Sequence, residues 1–369
     1  MMRLHRVILR RLEMPLRFRF RTSFGEIAAK KFLLVEADAG GLSGWGECVA
    51  DDEPHYSEET NASAADVLRR FLVPAVLGRT LPGPESFPDA VREIRGNRMA
   101  KAALETALWD LSCRAGGISL GRRLGGVRER VSVGVSLGIQ PSIEGLLALV
   151  ARHVDAGYAR IKVKIEPGND LAPVAAIRER YPSIELTVDA NAAYTLADAA
   201  HLLALDRFDL DYVEQPLGHE DLWRHAELAR ALRTPICLDE SIRSAEDAAV
   251  AAAIGAARVV NVKIGRVGGI GEAVRVHGVC AAAGIPVWCG GMLESGVGRA
   301  ANVQLATLPT FTKPGDTSSA SRYFDEDIVD PPLEAERGEM PVPAGPGIGV
   351  EVRREVVDRF TTWREEILA

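Results

Sequence analysis

The stretch that decides the fold opens with IKVKI at residues 161–165. It continues at a nearly constant interval through LTVDAN (186–191), YVEQP (212–216), CLDES (237–241) and VNVKI (260–264). Each segment is a short apolar run that ends in a polar residue. Lys164, Asp189, Glu214, Asp239 and Lys263 follow one another at gaps of 25, 25, 25 and 24 residues. Between the runs lie alanine- and leucine-rich stretches with helical spacing, such as Leu171–Tyr181 and Ala245–Ala256. Taken in full, the β-rich runs are Val131–Ile139, Arg160–Ile165, Ile184–Val188, Asp211–Val213, Pro235–Leu238, Val259–Ile264 and Pro286–Cys289, seven clear units. An eighth is read near Phe311–Asp316. Strand–helix alternation at this pace means parallel βαβ units. Their number favours an α/β fold of (β/α)8-barrel type, with a doubly wound open sheet as the alternative.

The first 125 residues have a different, α+β rhythm. Val7–Leu16, Phe32–Glu36 and Gly44–Cys48 read as strands, with Gly40-Gly41 as a turn, and Asn61–Leu77 and Met99–Ala115 read as helices. The run from Phe18 to Gly25 fits either an edge strand or a mobile loop over a site. The tail Met340–Gly349 reads as loop plus a final strand folding back on the first domain. The boundaries expected are 1–125 for the N-terminal domain, 126–324 for the barrel and 325–369 for the tail.

Composition narrows the function classes. The 369 residues are 47% apolar and 26% charged, ordinary for a globular protein with a full core. A net charge of −7 argues against a nucleic-acid partner. The N-terminus lacks the apolar core of a secretory leader. The longest apolar stretch, near Ala248–Ala257, is about half of the ~20 residues that cross a bilayer, so no membrane partner is expected. Five scattered cysteines without a C-x-x-C spacing point to reduced thiols and a cytoplasmic home.

In a barrel, strand C-termini converge on one site. A lone aspartate ending a strand is usually a helix cap. Three carboxylates in register, Asp189, Glu214 and Asp239, would repel one another and be costly to bury. A hard divalent cation resolves this, and all-oxygen donors favour Mg²⁺ or Mn²⁺ over Zn²⁺. Alternation in 161–165 places Lys162 and Lys164 on one face. In an ordinary sheet that face is solvated; in a barrel the apolar residues meet the helices and the lysines point inward. Burial and a neighbouring ammonium both lower a lysine's pKa, which would make Lys164 a usable base. Lys263 would approach from about the opposite side. A small-molecule carboxylate held on the metal would lose its α-proton to a lysine, and the metal would stabilise the enediolate. Return of a proton by the second lysine is racemisation; loss of a β-hydroxyl is dehydration. The glycine-rich 265–271 departs from G-x-G-x-x-G and reads as a βα turn, not a phosphate cradle.

The order K-x-K, D-x-N, E-Q-P, L-D-E-S, N-x-K is similar to that of the enolase superfamily in its muconate-lactonising subgroup. Along nearly its whole length the chain resembles the N-acylamino acid racemase / o-succinylbenzoate synthase family. Matching stretches include RTSFG (21–25), GWGEC (44–48), GNRMAKAALE (96–105), GVSLGI (134–139), VDANAAYTL (188–196), TPICLDES (234–241), PVWCGGMLESGVGRAAN (286–302) and PGDTSSASRY (314–323). The resemblance implies Asp189, Glu214 and Asp239 as Mg²⁺ ligands, with Mn²⁺ or another divalent ion able to substitute. It implies Lys164 and Lys263 as the acid/base pair, and Lys162 as a helper that lowers the pKa of Lys164 and orients the carboxylate. Asn191 would stand beside the metal; Ser136, Gly291, Leu293 and the loop from Phe20 to Phe24 would shape the substrate pocket. It also implies a capping domain built from the N-terminal segment and the tail, and assembly into homo-oligomers. The histidine base of the mandelate-racemase type is absent from 286–291, and Asp316-Thr317-Ser318 lacks the second aspartate of dipeptide epimerases; cycloisomerases are not separated by these residues. The expected activity is racemisation of N-acylamino acids, N-succinyl derivatives foremost, with o-succinylbenzoate synthesis for menaquinone as a second or sole activity. A catalytically silent metal-binding barrel is the alternative of another class.

Overall fold

The structure, a computed structural model, describes residues 1–22 and 25–369; the side chains of residues 20–26 lie outside that description. The expectations for the Phe20 side chain and for Phe24 therefore fall outside the described residues.

The N-terminal segment forms an antiparallel sheet of β1 (Arg6–Thr22), β2 (Gly25–Ala39) and β3 (Leu42–Cys48). Gly40 and Gly41, with φ of 58° and 82°, make the tight turn between β2 and β3, a conformation L-residues rarely adopt. Thr361–Leu368 adds to the free edge of β1, so the order is Thr361–Leu368, β1, β2, β3. Strand alternation buries both faces. Val7, Leu9, Leu33 and Val35 pack with the helix Arg98–Ala115, whereas Leu12, Met14, Phe32 and Leu34 join the barrel's core. Each such side chain contributes about 1.5–3 kcal/mol relative to exposure. The helix lies so close to β3 that a Cβ on Gly46 would stand 2.0 Å from the Ala103 carbonyl oxygen. The expected helix Asn61–Leu77 is found as Asn61–Val67 and Val73–Val76, joined by one wide turn at Leu68–Leu72 just before Pro74, which has no N–H to donate.

The second part is a curled sheet of seven parallel strands in chain order. They are β4 (Val135–Leu137), β5 (Ile161–Lys164), β6 (Leu186–Asp189), β7 (Val213–Glu214), β8 (Ile236–Leu238), β9 (Val259–Val262) and β10 (Val287–Cys289). The segment read as an eighth unit closes the ring. Phe311 bridges Val287 and Gly315 bridges Val133, both in parallel. Backbone hydrogen bonds run from Asp316 N to Cys289 O (2.9 Å) and from Gly134 N to Gly315 O (2.8 Å). The fold is thus the α/β barrel type with an N-terminal α+β layer.

Two boundaries differ from expectation. Val131–Ile139 is not one strand: Arg130–Ser132 pairs antiparallel with Glu339–Pro341, and the barrel strand starts only at Val135. The break falls at Gly134, whose Cβ would stand 2.6 Å from Arg160 Nε. The strand that joins the N-terminal sheet is Thr361–Leu368, beyond the Met340–Gly349 stretch. Its mostly exposed side chains leave no apolar alternation in the sequence. No helix among the described residues is long and apolar enough to cross a membrane.

Candidate active site

Register delivers the polar residues to one end of the ring. Lys164 is paired with Asp189, and Asp189 with Glu214, as direct neighbours across β5, β6 and β7. Ile161 and Val163 face the surrounding helices, so Lys162 and Lys164 face inward, as alternation requires. Tyr212, Cys237, Val259 and Trp288 form a separate apolar cluster that plugs the barrel interior beneath them.

Lys162 Nζ, 3% exposed, donates to Glu214 Oε2 at 2.7 Å and lies 2.8 Å from Asp316 Oδ2 and 3.4 Å from Asp189 Oδ2. Lys164 Nζ donates to Asp189 Oδ2 at 2.6 Å and to Asn191 Oδ1 at 2.5 Å. Across the ring, Lys263 Nζ donates to Asp239 Oδ2 at 2.7 Å and to the Tyr56 hydroxyl at 2.8 Å, 4.8 Å from the Tyr56 ring centre. Arg266 donates to the other oxygen of Asp239, and Asn261 Nδ2 to Glu214 Oε1 at 2.8 Å. Gln215 ties two strand ends together: its carbonyl accepts from Asp239 N at 3.0 Å and its amide donates to Ser241 Oγ at 2.7 Å. Asn191, Gln215 and Leu293 all hold positive φ (43°, 37° and 58°), backbone strain that collects at sites where loops must aim side chains.

A cavity of about 570 Å³ opens over this end. Of the residues singled out from sequence, Ser136, Lys162, Lys164, Asp189, Asn191, Lys263, Gly291 and Leu293 line it. Glu214 and Asp239 are buried just beneath, covered by their lysine partners. The N-terminal segment supplies the opposite wall through Ile27–Lys31 and residues such as Asp51, His55 and Tyr56.

Neighbouring acidic groups govern two of the lysines. Burial would lower Lys162, but Asp316, Glu214 and Asp189 together outweigh it and lift its pKa above the ordinary lysine value. Lys263 is raised likewise: burial works against it, and Tyr56, Glu240 and Glu214 prevail. Against its own burial, Asp189 is held down to about 2 by Lys164 and Lys162, and Asp316 is held well below the carboxylate range by Lys162 and Arg160.

As the side chains stand, no three His, Cys, Asp or Glu among the described residues are drawn together closely enough to hold a metal, because the lysines intervene. The donor chemistry still suits a hard cation. Asp189, Glu214 and Asp239 present only oxygens, all three are buried, and Glu240 Oε2 and Asn261 Oδ1 lie buried nearby without a partner.

Sequence reading missed Tyr56, Arg160, Arg266 and Asp316. Arg160 shares the parity of Lys162 and Lys164, so alternation does carry a signal for it. Asp316 ends the eighth unit, the same place in its strand as the carboxylates it joins. Tyr56 sits in a loop and leaves no periodic trace.

Comparison with known proteins agrees with this fold. The description "Mandelate racemase / muconate lactonizing enzyme, N-terminal domain" matches residues 5–125, and "Enolase C-terminal domain-like" matches residues 145–356. The N-succinylamino acid racemase of Thermus thermophilus is 54% identical over 368 residues, covering 100% of both chains. The o-succinylbenzoate synthase of Geobacillus kaustophilus is 51% identical over 356 residues, covering 96% of this chain and 95% of that one. A crystal structure of an enolase-superfamily member from Listeria innocua superposes with a TM-score of 0.97 at 43% identity, covering 100% of both chains. The chain belongs to the enolase superfamily, within the family of the N-succinylamino acid racemases and o-succinylbenzoate synthases.

Proposed function

We propose that this enzyme racemises N-acylamino acids, N-succinyl derivatives foremost, by abstracting the α-proton on one face of the substrate and returning a proton on the other. The observation that carries the reading is the placement of the two lysines. Lys164 ends β5 and Lys263 follows β9, four positions apart in a ring of eight, and both line one cavity. A substrate α-carbon between them meets an amine on each face. Lys164 and Lys263 exchange the roles of acid and base according to which enantiomer is bound. Lys162 orients the substrate carboxylate. Ser136, Gly291 and Leu293 shape the wall around the acyl group and side chain, the role also proposed for Phe20 and Phe24. Asp189, Glu214 and Asp239 would hold Mg²⁺, with Asn191 beside it. A divalent cation there would supply charge stabilisation for the developing dianion and offset the carboxylate charge that now lifts Lys162 and Lys263.

The same abstraction with loss of a β-hydroxyl gives o-succinylbenzoate, and a relative with 51% identity carrying that name favours this as a second activity. We place residues 1–125 with 325–369 as the cap and 126–324 as the catalytic unit, a division supported by the pairing of Thr361–Leu368 with β1. Self-association fits the family, and a cytoplasmic setting fits five buried, unpaired cysteines.

The test is an NMR assay with Mg²⁺ in D₂O. N-succinyl-L-phenylalanine should lose its α-proton signal and its optical rotation together. If neither changes, the racemase reading fails, and the synthase substrate becomes the next compound to try.

A further inference from the structure

Arg160 and Lys162 project into the ring from the same strand side, and one carboxylate clamps both. Asp316 Oδ1 accepts from Arg160 Nη2 at 2.8 Å, and Asp316 Oδ2 lies 2.8 Å from Lys162 Nζ. Arg160 is fully buried and donates again to the Pro314 carbonyl at 2.9 Å. Its guanidinium lies 4.9 Å from the centre of the Trp288 ring, and Lys162 Nζ lies 4.6 Å from the same ring. Gly134 leaves the space, because a Cβ there would stand 2.6 Å from Arg160 Nε. A guanidinium this deep needs a fixed counter-ion, and a planar donor on one oxygen leaves the other oxygen of Asp316 aimed at Lys162.

Lys162 has three carboxylate partners, Asp189, Glu214 and Asp316. The first two belong to the proposed cation set, so their charge is shared when that set is in use. Asp316 stands on the eighth segment, outside that set. We propose that Asp316, locked by Arg160, is a positioning residue that holds the Lys162 ammonium at the cavity wall where it meets the substrate carboxylate. This rests on the α-proton reading above. Asp316 acts through Lys162, and Arg160 and Gly134 act through Asp316.

The test is a double-mutant cycle on the full-length, Mg²⁺-loaded enzyme, read by α-proton exchange of N-succinyl-L-phenylalanine in D₂O, which registers slow turnover. Asp316→Asn keeps the size and the acceptor for Arg160 while removing the charge. It should lower kcat/KM by about tenfold to a hundredfold, mainly through KM, the loss expected for one charge-assisted hydrogen bond. In a Lys162→Ala background the same substitution should change kcat/KM by less than about twofold, because its target is gone. Equal losses in both backgrounds, or no loss in either, would overturn the proposal. Should Asp316→Asn fail to fold, a crystal structure of Mg²⁺-loaded wild type decides: Lys162 Nζ stays within hydrogen-bond distance of Asp316, and an ammonium turned away from it refutes the assignment. A wild type that exchanges no α-proton would count against the reaction, and the crystal structure would still decide the role of Asp316.

Discussion

Replacing Glu105 with glutamine should stabilise the protein increasingly as pH rises. Glu105 lies on the helix Arg98–Ala115 of the N-terminal segment and is 2% exposed. One carboxyl oxygen accepts from Gly271 N at 3.2 Å, at the start of the barrel helix Ile270–Ala282, and from Trp109 Nε1 at 3.4 Å. The other oxygen is buried without a partner. Burial lifts this carboxyl from 4.5 to about 7; the hydrogen bonds oppose the rise, and nearby Glu272 adds to it. Because the folded pKa is the higher one, the folded state binds more protons between these values. The stability linked to the protonated acid is present below about 4.5 and is lost as pH rises to about 7. The whole gap is worth roughly 3 kcal/mol at about 1.36 kcal/mol per tenfold, of which about 2.5 kcal/mol falls between about pH 5 and about pH 8. Glutamine mimics the protonated acid at every pH. Urea unfolding of variant and wild type at those two pH values should show the variant's advantage widening by about that amount, a large share of a typical total of about 5–15 kcal/mol. Glu47 also sits near 7, so the wild-type profile alone does not isolate Glu105, whereas the variant-minus-wild-type difference does. A difference that stays constant between the two pH values would show that Glu105 does not titrate in this window.

Lys164→Ala and Lys263→Ala should each reduce racemisation by about a thousandfold, within the usual reach of a positioned acid or base, with near-ultraviolet circular dichroism unchanged. Retained racemisation in either variant removes the two-base assignment. Treatment with EDTA should abolish α-proton exchange and added Mg²⁺ should restore it; full exchange in a metal-free preparation would sink the metal role of Asp189, Glu214 and Asp239. Gly134→Ala should cost about 1–3 kcal/mol in urea unfolding, because the new methyl meets the Arg160 guanidinium in a filled interior. An unchanged midpoint would mean that Arg160 is free to move aside.

Much of the barrel was legible because its strands are buried on both sides yet end in polar residues. The constant gap of 24 or 25 residues is one strand–helix unit, so residues at equal intervals arrive at equal heights on the ring. Lys164, Asp189 and Glu214 come out as cross-strand neighbours for that reason. Alternation also told which way Lys162 and Lys164 point. It carried no information on which charges they meet. The carboxylates that lift Lys162 come from three different strands or segments, and Asp316 lies 154 residues away in the chain. The strand Thr361–Leu368 escaped because it lies at an exposed sheet edge, where pairing needs backbone groups and not an apolar face.

The glycine-rich stretch 265–271 shows how a correct local reading leaves the reason for a sequence unexplained. It does form the turn into the helix Ile270–Ala282. Turn geometry accounts for positive φ at Gly268 and Gly269, 101° and 140°. It does not account for the space the turn leaves. A Cβ on Gly269 would lie 1.6 Å from Glu105 Oε2, and one on Gly271 would lie 2.9 Å from Glu105 Oε1. These glycines admit a carboxyl group from the N-terminal segment to the start of a barrel helix, where it accepts the Gly271 N–H, a hydrogen bond that opposes the rise caused by burial without overcoming it. The turn begins at Lys263, one of the two proposed bases. The same contact therefore docks the N-terminal segment on the barrel and steadies the loop that carries the base. Neither half of that arrangement is visible without the other, because Glu105 and Gly271 are 166 residues apart.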